Sequence, residues 1–160
     1  MIGDTDPKHT SLSGLELFQQ LRSGQISPSP YARAAGVRVI DIAEGRTVLE
    51  ATVTDDHLNQ IGMVHGGWVT TLMDSALGGA AHSLLPAGER AVTIEIKVNL
   101  TRPALLGSTV TVEGEVLHRG RRTIVSEGKM RDEQGRILAV ALATFAVVDV
   151  TTAGLSRPTL

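Results

Sequence analysis

Asp74 is the residue in this chain best placed to do chemistry. It stands directly before Ser-Ala-Leu-Gly-Gly-Ala-Ala, in an apolar run that suits a helix. On a helix it shares a face with Thr70, Thr71, Leu77, Gly78 and, two turns on, His82. Burial among Leu, Met and Ala is expected to raise its pKa, as a general base near neutral pH or a sheltered nucleophile requires. The alternative is an outward-pointing carboxylate at a subunit edge, merely solvated. The residues alone weigh the two evenly.

Upstream of Asp74 lies His65-Gly66-Gly67. Amides at a helix start lack intrahelical partners, so the N–H of Gly66 or Gly67 could hold a developing oxyanion, reinforced by the helix dipole. The plainer account is a Gly-Gly turn with His65 tying the loop by a hydrogen bond. Asn59 could bind a substrate carbonyl or a water, or serve as a turn residue. His57, His65 and His82 follow no zinc spacing, and no metal or cofactor is expected. Arg119, Arg121 and Arg122 form a basic cluster at a strand turn. They could hold phosphates; a solvated hairpin tip explains them as well, and Arg102-Pro103 at a strand end reads the same way. There is no Gly-x-Ser-x-Gly, phosphate loop or dinucleotide fingerprint.

The elements that must position these residues follow from periodicity and punctuation. Ser11 or Ser13 is expected to cap a helix ending at Gly24, followed by an irregular Ser-Pro-Ser-Pro connector over 26–31. Strands are expected over 36–42 and 47–53, joined by a turn at Glu44-Gly45-Arg46. A helix over about 67–85 ends at Pro86. Four more strands are expected over 91–100, 109–118, 123–131 and 137–150, the last nearly all apolar and suited to a sheet interior. One helix, two strands, a long buried helix and four strands make an α+β class with an antiparallel sheet wrapping the central helix. The small residues Gly78, Gly79, Ala80 and Ala81 are expected to let strands approach closely.

The chain has 160 residues, enough for one domain with a real core. Aromatics are only 2%, so that core must be aliphatic. A net charge of −2 with mixed signs argues against a general nucleic-acid or membrane-surface binder. Cysteine is absent, which excludes disulfides, thiolate zinc sites and Cys nucleophiles. No signal-like segment is visible, and no apolar run reaches the ~20 residues needed to span a bilayer. The expected location is the cytoplasm.

Asn59-x-x-Gly62-x-x-His65-Gly66-Gly67, with Asp74 following on the helix, resembles the active-site segment of hotdog-fold acyl-CoA thioesterases. The branch is the PaaI-like (phenylacetic-acid-degradation) one, related to the Arthrobacter-type 4-hydroxybenzoyl-CoA thioesterases. The likeness runs over 36–150 and includes Val98-Asn99-Leu100-Thr101-Arg102-Pro103. It implies a long helix wrapped by a curved antiparallel sheet, in homodimers with a continuous sheet and commonly homotetramers. It places a short N-terminal helix and tail at 1–35, the hotdog domain at 36–150 and a flexible tail at 151–160.

The resemblance implies hydrolysis of an acyl-CoA, aromatic or medium-chain, at the dimer interface. Asp74 would be the catalytic carboxylate of one subunit, acting as base or nucleophile. Gly66 N–H of the other would polarise the thioester carbonyl. Asn59 would position the thioester or water, and His65 would support the loop. Gly67 and Thr93 become substrate- or water-holding positions, and Gly78 leaves room for an acyl group. Arg102, Arg119, Arg121 and Arg122 become contacts for CoA phosphates. Trp68, Leu72, Leu77 and His82 are candidate pocket residues. Two other readings stand beside this one: a non-catalytic acyl-CoA-binding hotdog domain, and a hotdog dehydratase of acyl thioesters.

Overall fold

Residues 11–150 are described by a computed structural model; the tails expected before Ser11 and after Val150 lie outside the described residues. Helix α1 (Gly14–Ser23) starts where Ser13 and Glu16 form a reciprocal capping box, and ends at Gly24, whose φ of 77° is left-handed. The Ser-Pro-Ser-Pro stretch is less irregular than expected. Ser29 caps, and Pro30 opens, a short helix α2 (Pro30–Ala34). Proline at a first helical position forfeits only an amide that has no partner there.

Six strands follow: β1 (Val37–Ala43), β2 (Arg46–Thr52), β3 (Glu89–Leu100), β4 (Thr109–Arg119), β5 (Thr123–Asp132) and β6 (Ile137–Asp149). They form one antiparallel sheet in the order β1-β2-β4-β5-β6-β3. Strand β6 is interior, as its apolar run requires. Strands β1 and β3 are the two edges.

Helix α3 (Gly66–His82) packs against all six strands, so the sheet curls round it. Its Leu72, Met73, Ala76, Leu77, Ala80 and Ala81 are wholly buried, facing Val110, Val112, Ile124, Met130, Ala139 and Phe145. The closest approach of sheet to helix is made by glycines of the strands rather than of the helix. Gly114 and Gly128 sit opposite one another on β4 and β5. A Cβ on Gly114 would lie 2.5 Å from the Ala76 carbonyl, and one on Gly128 2.4 Å from Leu77 Cδ1. Gly79 admits both α1 and β2, as expected of a small residue there: its Cβ would meet Phe18 and Thr47 at 2.9 Å. The helix also stops one turn earlier than expected. Ser83 Oγ donates to the Ala80 carbonyl at 2.7 Å and accepts from the Gly45 N–H at 2.8 Å, and this competition turns the chain out of the helix. No helix among the described residues is long and apolar enough to cross a membrane.

Candidate active site

Asp74 lies midway along α3 and is half-buried, between the two alternatives of an enclosed and a merely solvated carboxylate. Thr93 Oγ1 donates to its Oδ1 at 2.8 Å. Thr93 reaches it from a bulge: the pairing of β3 with β6 shifts between Thr93 and Glu95. Bulges re-aim side chains in this way, often beside active sites. The two residues share the wall of a cavity of about 660 Å³ with Gly78 and His82 of α3, Phe18 of α1 and Ile26 of the α1–α2 linker. That size is ordinary for a small-molecule pocket.

His82 is the other polar group in this wall whose protons can be assigned. The Ala91 N–H donates to its Nε2 at 3.2 Å, so Nδ1 carries the hydrogen and donates to the Gly78 carbonyl at 2.9 Å. Burial pushes its pKa below the usual value; the Gly78 carbonyl opposes that, and the Arg90 charge adds to it. Trp68, Leu72 and Leu77 are core residues, absent from the cavity wall. The Trp68 ring stacks on His57 with centroids 4.6 Å apart.

The loop before α3 is built from its own polar groups. Asn59 Oδ1 accepts from the Ile61 and Met63 amides at 3.0 and 3.1 Å, and Gly62 turns the chain at φ 76°. Asn59 therefore organises the loop through its oxygen. His65 caps α3, its Nδ1 accepting from the Gly67 N–H at 2.8 Å. The Gly67 amide is thus engaged within the loop, against its expected substrate-facing role. The Trp68 and Val69 amides both donate to the His65 carbonyl. Among the described residues, the Gly66 amide alone of these first helical N–H groups has no partner.

Gly66 and Asp74 do not meet in one chain. Eight residues of helix at about 1.5 Å each separate them by roughly 12 Å. The free amide instead adjoins the far end of β3: a Cβ on Gly66 would lie 3.2 Å from Leu100 Cδ1. The arginines are split likewise. Arg102 follows that far end and donates to the Ile137 carbonyl at 2.9 Å. Arg119, Arg121 and Arg122 are exposed at the β4–β5 turn, near the start of β3, where the Val147 amide donates to the Arg122 carbonyl and Val147 pairs with Ala91.

Residues 61–139 match the thioesterase superfamily. Acyl-coenzyme A thioesterase PaaI of Escherichia coli is 32% identical over 68% of this chain and 76% of its own length. The chain belongs to the thioesterase superfamily. It falls in the PaaI-like branch, and its helix-in-sheet architecture is the hotdog fold. A 1,4-dihydroxy-2-naphthoyl-CoA hydrolase of Listeria monocytogenes is also 32% identical, over 70% of this chain and 90% of the relative. The solved E. coli PaaI structure superposes with a TM-score of 0.74 at 28% identity, covering 86% of this chain and 96% of that one. A hypothetical thioesterase from Streptococcus pneumoniae, solved with coenzyme A, gives 0.66 at 29% identity over 71% and 89%.

Sequence reading missed the residues that roof this thioesterase's cavity. Phe18 and Ile26 line it from a stretch read as a short helix and connector, and Tyr31 ties that stretch to α3. Tyr31 OH lies 2.8 Å from Thr71 Oγ1, one turn before Asp74. The Ser29-Pro30 capping pair was the available signal that the connector folds back on the body.

Proposed function

We propose that this chain hydrolyses acyl-CoA thioesters to the free acid and CoA, with aromatic or medium-chain acyl groups as substrates, at a site shared between two subunits. The observation that carries the reading is the Thr93-supported Asp74 carboxylate on the wall of a cavity. Asp74 takes a proton from water as the water oxygen adds to the thioester carbonyl carbon. Direct attack by its own oxygen is the variant mechanism. The Gly66 N–H from the second subunit stabilises the oxyanion at a helix start. Collapse breaks the C–S bond, and the departing CoA thiolate takes the proton. Thr93 orients the carboxylate, Asn59 and His65 hold the loop in shape, and Asn59 Nδ2 faces the substrate. Arg102, Arg119, Arg121 and Arg122 meet the CoA phosphates. Relatives named for acyl-CoA hydrolysis and a CoA-bound neighbour support this substrate class.

The open edge strand supports a second subunit. Thr93 and Leu100 lie about 23 Å apart along β3 at roughly 3.3 Å per residue. Antiparallel pairing of two β3 strands about a two-fold axis near Ile96 and Lys97 sets Leu100 of one copy opposite Thr93 of the other. The free amide beside Leu100 then approaches the carboxylate beside Thr93, and Arg102 approaches the basic turn. We extend the reading to a tetramer of such dimers, testable by sedimentation equilibrium, and to a cytoplasmic location.

The test uses two variants. Asp74→Ala removes the acid/base group and is expected to cut thiol release at least ~10²-fold. Gly66→Pro removes the amide: proline fits a first helical position, His65 already has the extended φ −68° and ψ 129° that a residue before proline prefers, and the added Cβ meets the flexible end of Leu100 at 3.2 Å. It is expected to cost ~10²–10³-fold, the scale of one oxyanion donor. Refolded together, the two inactive chains regain roughly a quarter of wild-type activity, because each mixed dimer holds one intact site. Full activity in Asp74→Ala would sink the assignment, and no recovery on mixing would sink the shared site. Tight acyl-CoA binding without thiol release would favour a binding domain, and enoyl absorbance without thiol release a dehydratase.

A further inference from the structure

The cavity beside Asp74 has a wall that the catalytic chemistry does not use. The sheet curls round α3 but leaves a gap between its edges β1 and β3, and the chain from α1 to α2 arches across that gap. The arch is pinned to α3 at both ends. At the C-terminal half of α3, Gly14 packs so closely that a Cβ would lie 1.8 Å from the His82 carbonyl. Phe18 rests on Gly79, its ring centroid 6.2 Å from that of His82. At the N-terminal half, Trp68 Nε1 donates to the Ala35 carbonyl at 3.0 Å and Tyr31 OH meets Thr71. Between the pins the linker is exposed except at Ile26, which is half-buried and lines the cavity. The linker is shaped from within: the Gln25 and Ile26 amides donate to the Gln20 carbonyl at 3.0 and 3.2 Å.

We propose that this arch is the gauge for the acyl group, with Phe18 as the end stop and Ile26 as the roof. The proposal rests on the Asp74 thioesterase reading and adds which end of the substrate enters the cavity. From Asp74 the cavity follows α3 to His82, eight residues or about 12 Å. Gly78 keeps the floor clear between them, and Phe18 closes the far end against Gly79. Phe18, Leu21, Ile26 and Phe145 give this path an apolar lining, with Ser75 and His82 as polar points along it. A single-ring arylacyl group or a medium-length alkyl chain fits that length, and an extended long chain collides with Phe18.

The experiment is a panel of straight-chain acyl-CoAs from acetyl to palmitoyl, assayed by thiol release for wild type, Phe18→Ala and Ile26→Trp. A pocket discriminates a methylene by about 10-fold or more. Phe18→Ala should therefore raise the long-to-medium ratio of kcat/KM at least ~10-fold. Ile26→Trp should lower the medium-to-acetyl ratio by a similar factor. Ile26 sits on an exposed linker, so this second variant keeps the test alive if loss of Phe18 loosens α1. Equal changes at every chain length would overturn the proposal, because the cavity would then hold the CoA arm; unchanged ratios would overturn it as well. Calorimetry of the same panel on Asp74→Ala separates the two claims. The chain-length order of Kd should follow the arch residues there too. That order in a wild type that releases no thiol would overturn the hydrolase reading while keeping the gauge.

Discussion

The two edges of the sheet are finished in opposite ways. Strand β1 is short, covered by α1 and studded with ion pairs. Arg46 bridges Asp41 at 2.8 Å and Glu113 at 2.6 Å, Arg22 adds a longer contact to Asp41, and Arg38 pairs with Glu50. Charges and a covering helix are what blunt an edge against further pairing. Strand β3 is nearly twice as long, and Val92, Ile94 and Leu100 on it are 50%, 60% and 55% exposed. A long apolar edge with unpaired backbone groups is a template for another strand. The contrast teaches that one edge is closed within a single copy and the other is left open. The Asp74–Thr93 pair and the Gly66 amide stand at separate points along the open side.

The largest effect should come from giving β3 the kind of edge that β1 has. Val92→Lys with Ile94→Lys replaces exposed apolar side chains by charges where two copies would meet, and lysines on an edge strand blunt its pairing. The double variant should sediment as a monomer and lose at least ~10²-fold in thiol release, the scale of removing one oxyanion donor. Its helical signal should stay near wild type, because the two side chains are exposed. A fully active monomer would mean that each chain carries a whole site.

This contrast also marks where the sequence was legible. The helix-in-sheet fold could be read because its signals are local: alternation in the strands, a continuous apolar run in α3, glycine and proline at the ends. Asp74 and Gly66 could be named because loop and helix carry them in a fixed order, and Thr93 only through the family resemblance. Which group touches which could not be read. The Thr93–Asp74 bond depends on a bulge that no periodicity announces. The engagement of the Gly67 amide by His65 depends on a cap geometry that the motif leaves open. Burial of Leu72 and Leu77 was hidden by the helix being apolar all round, which gives core and pocket residues the same signature. The arch went unseen because Phe18 contacts Gly79 and His82, far away in sequence, and Ile26 shares a cavity wall with residues of α3.

His82 anchors the start of the bare edge to α3, and a smaller, pH-dependent effect should be found there. Its folded pKa is lowered from the usual value of 6.5, chiefly by burial, so the fold favours the neutral ring. The unfolded chain then binds the proton more readily than the native one. The sign follows: this contribution is fully present above about pH 6.5 and is lost as pH falls through the lowered folded value. Protonation also removes the acceptor for the Ala91 amide. Wild type should lose more of its urea midpoint between pH 7.5 and 5.5 than His82→Gln, in which the site no longer titrates. Equal losses in the two proteins would assign the pH dependence to other groups.

The smallest effect is expected at the finished edge. Arg46 holds two carboxylates, and its hydrogen bond is the main cause that draws the Asp41 pKa below its usual value. These groups are open to water, where ion pairs gain little beyond what hydration already supplies. Arg46→Ala should therefore lower Tm by less than about 3 °C in a domain of this size and leave thiol release unchanged. The pairs on β1 act less by holding the strand down than by making its edge an unfavourable place for another strand. If so, Arg46→Ala combined with Arg38→Ala should increase self-association at high concentration while Tm hardly moves. Light scattering of that double variant against wild type tests the point: an unchanged association state would assign the blunting of β1 to its cover by α1 rather than to its charges.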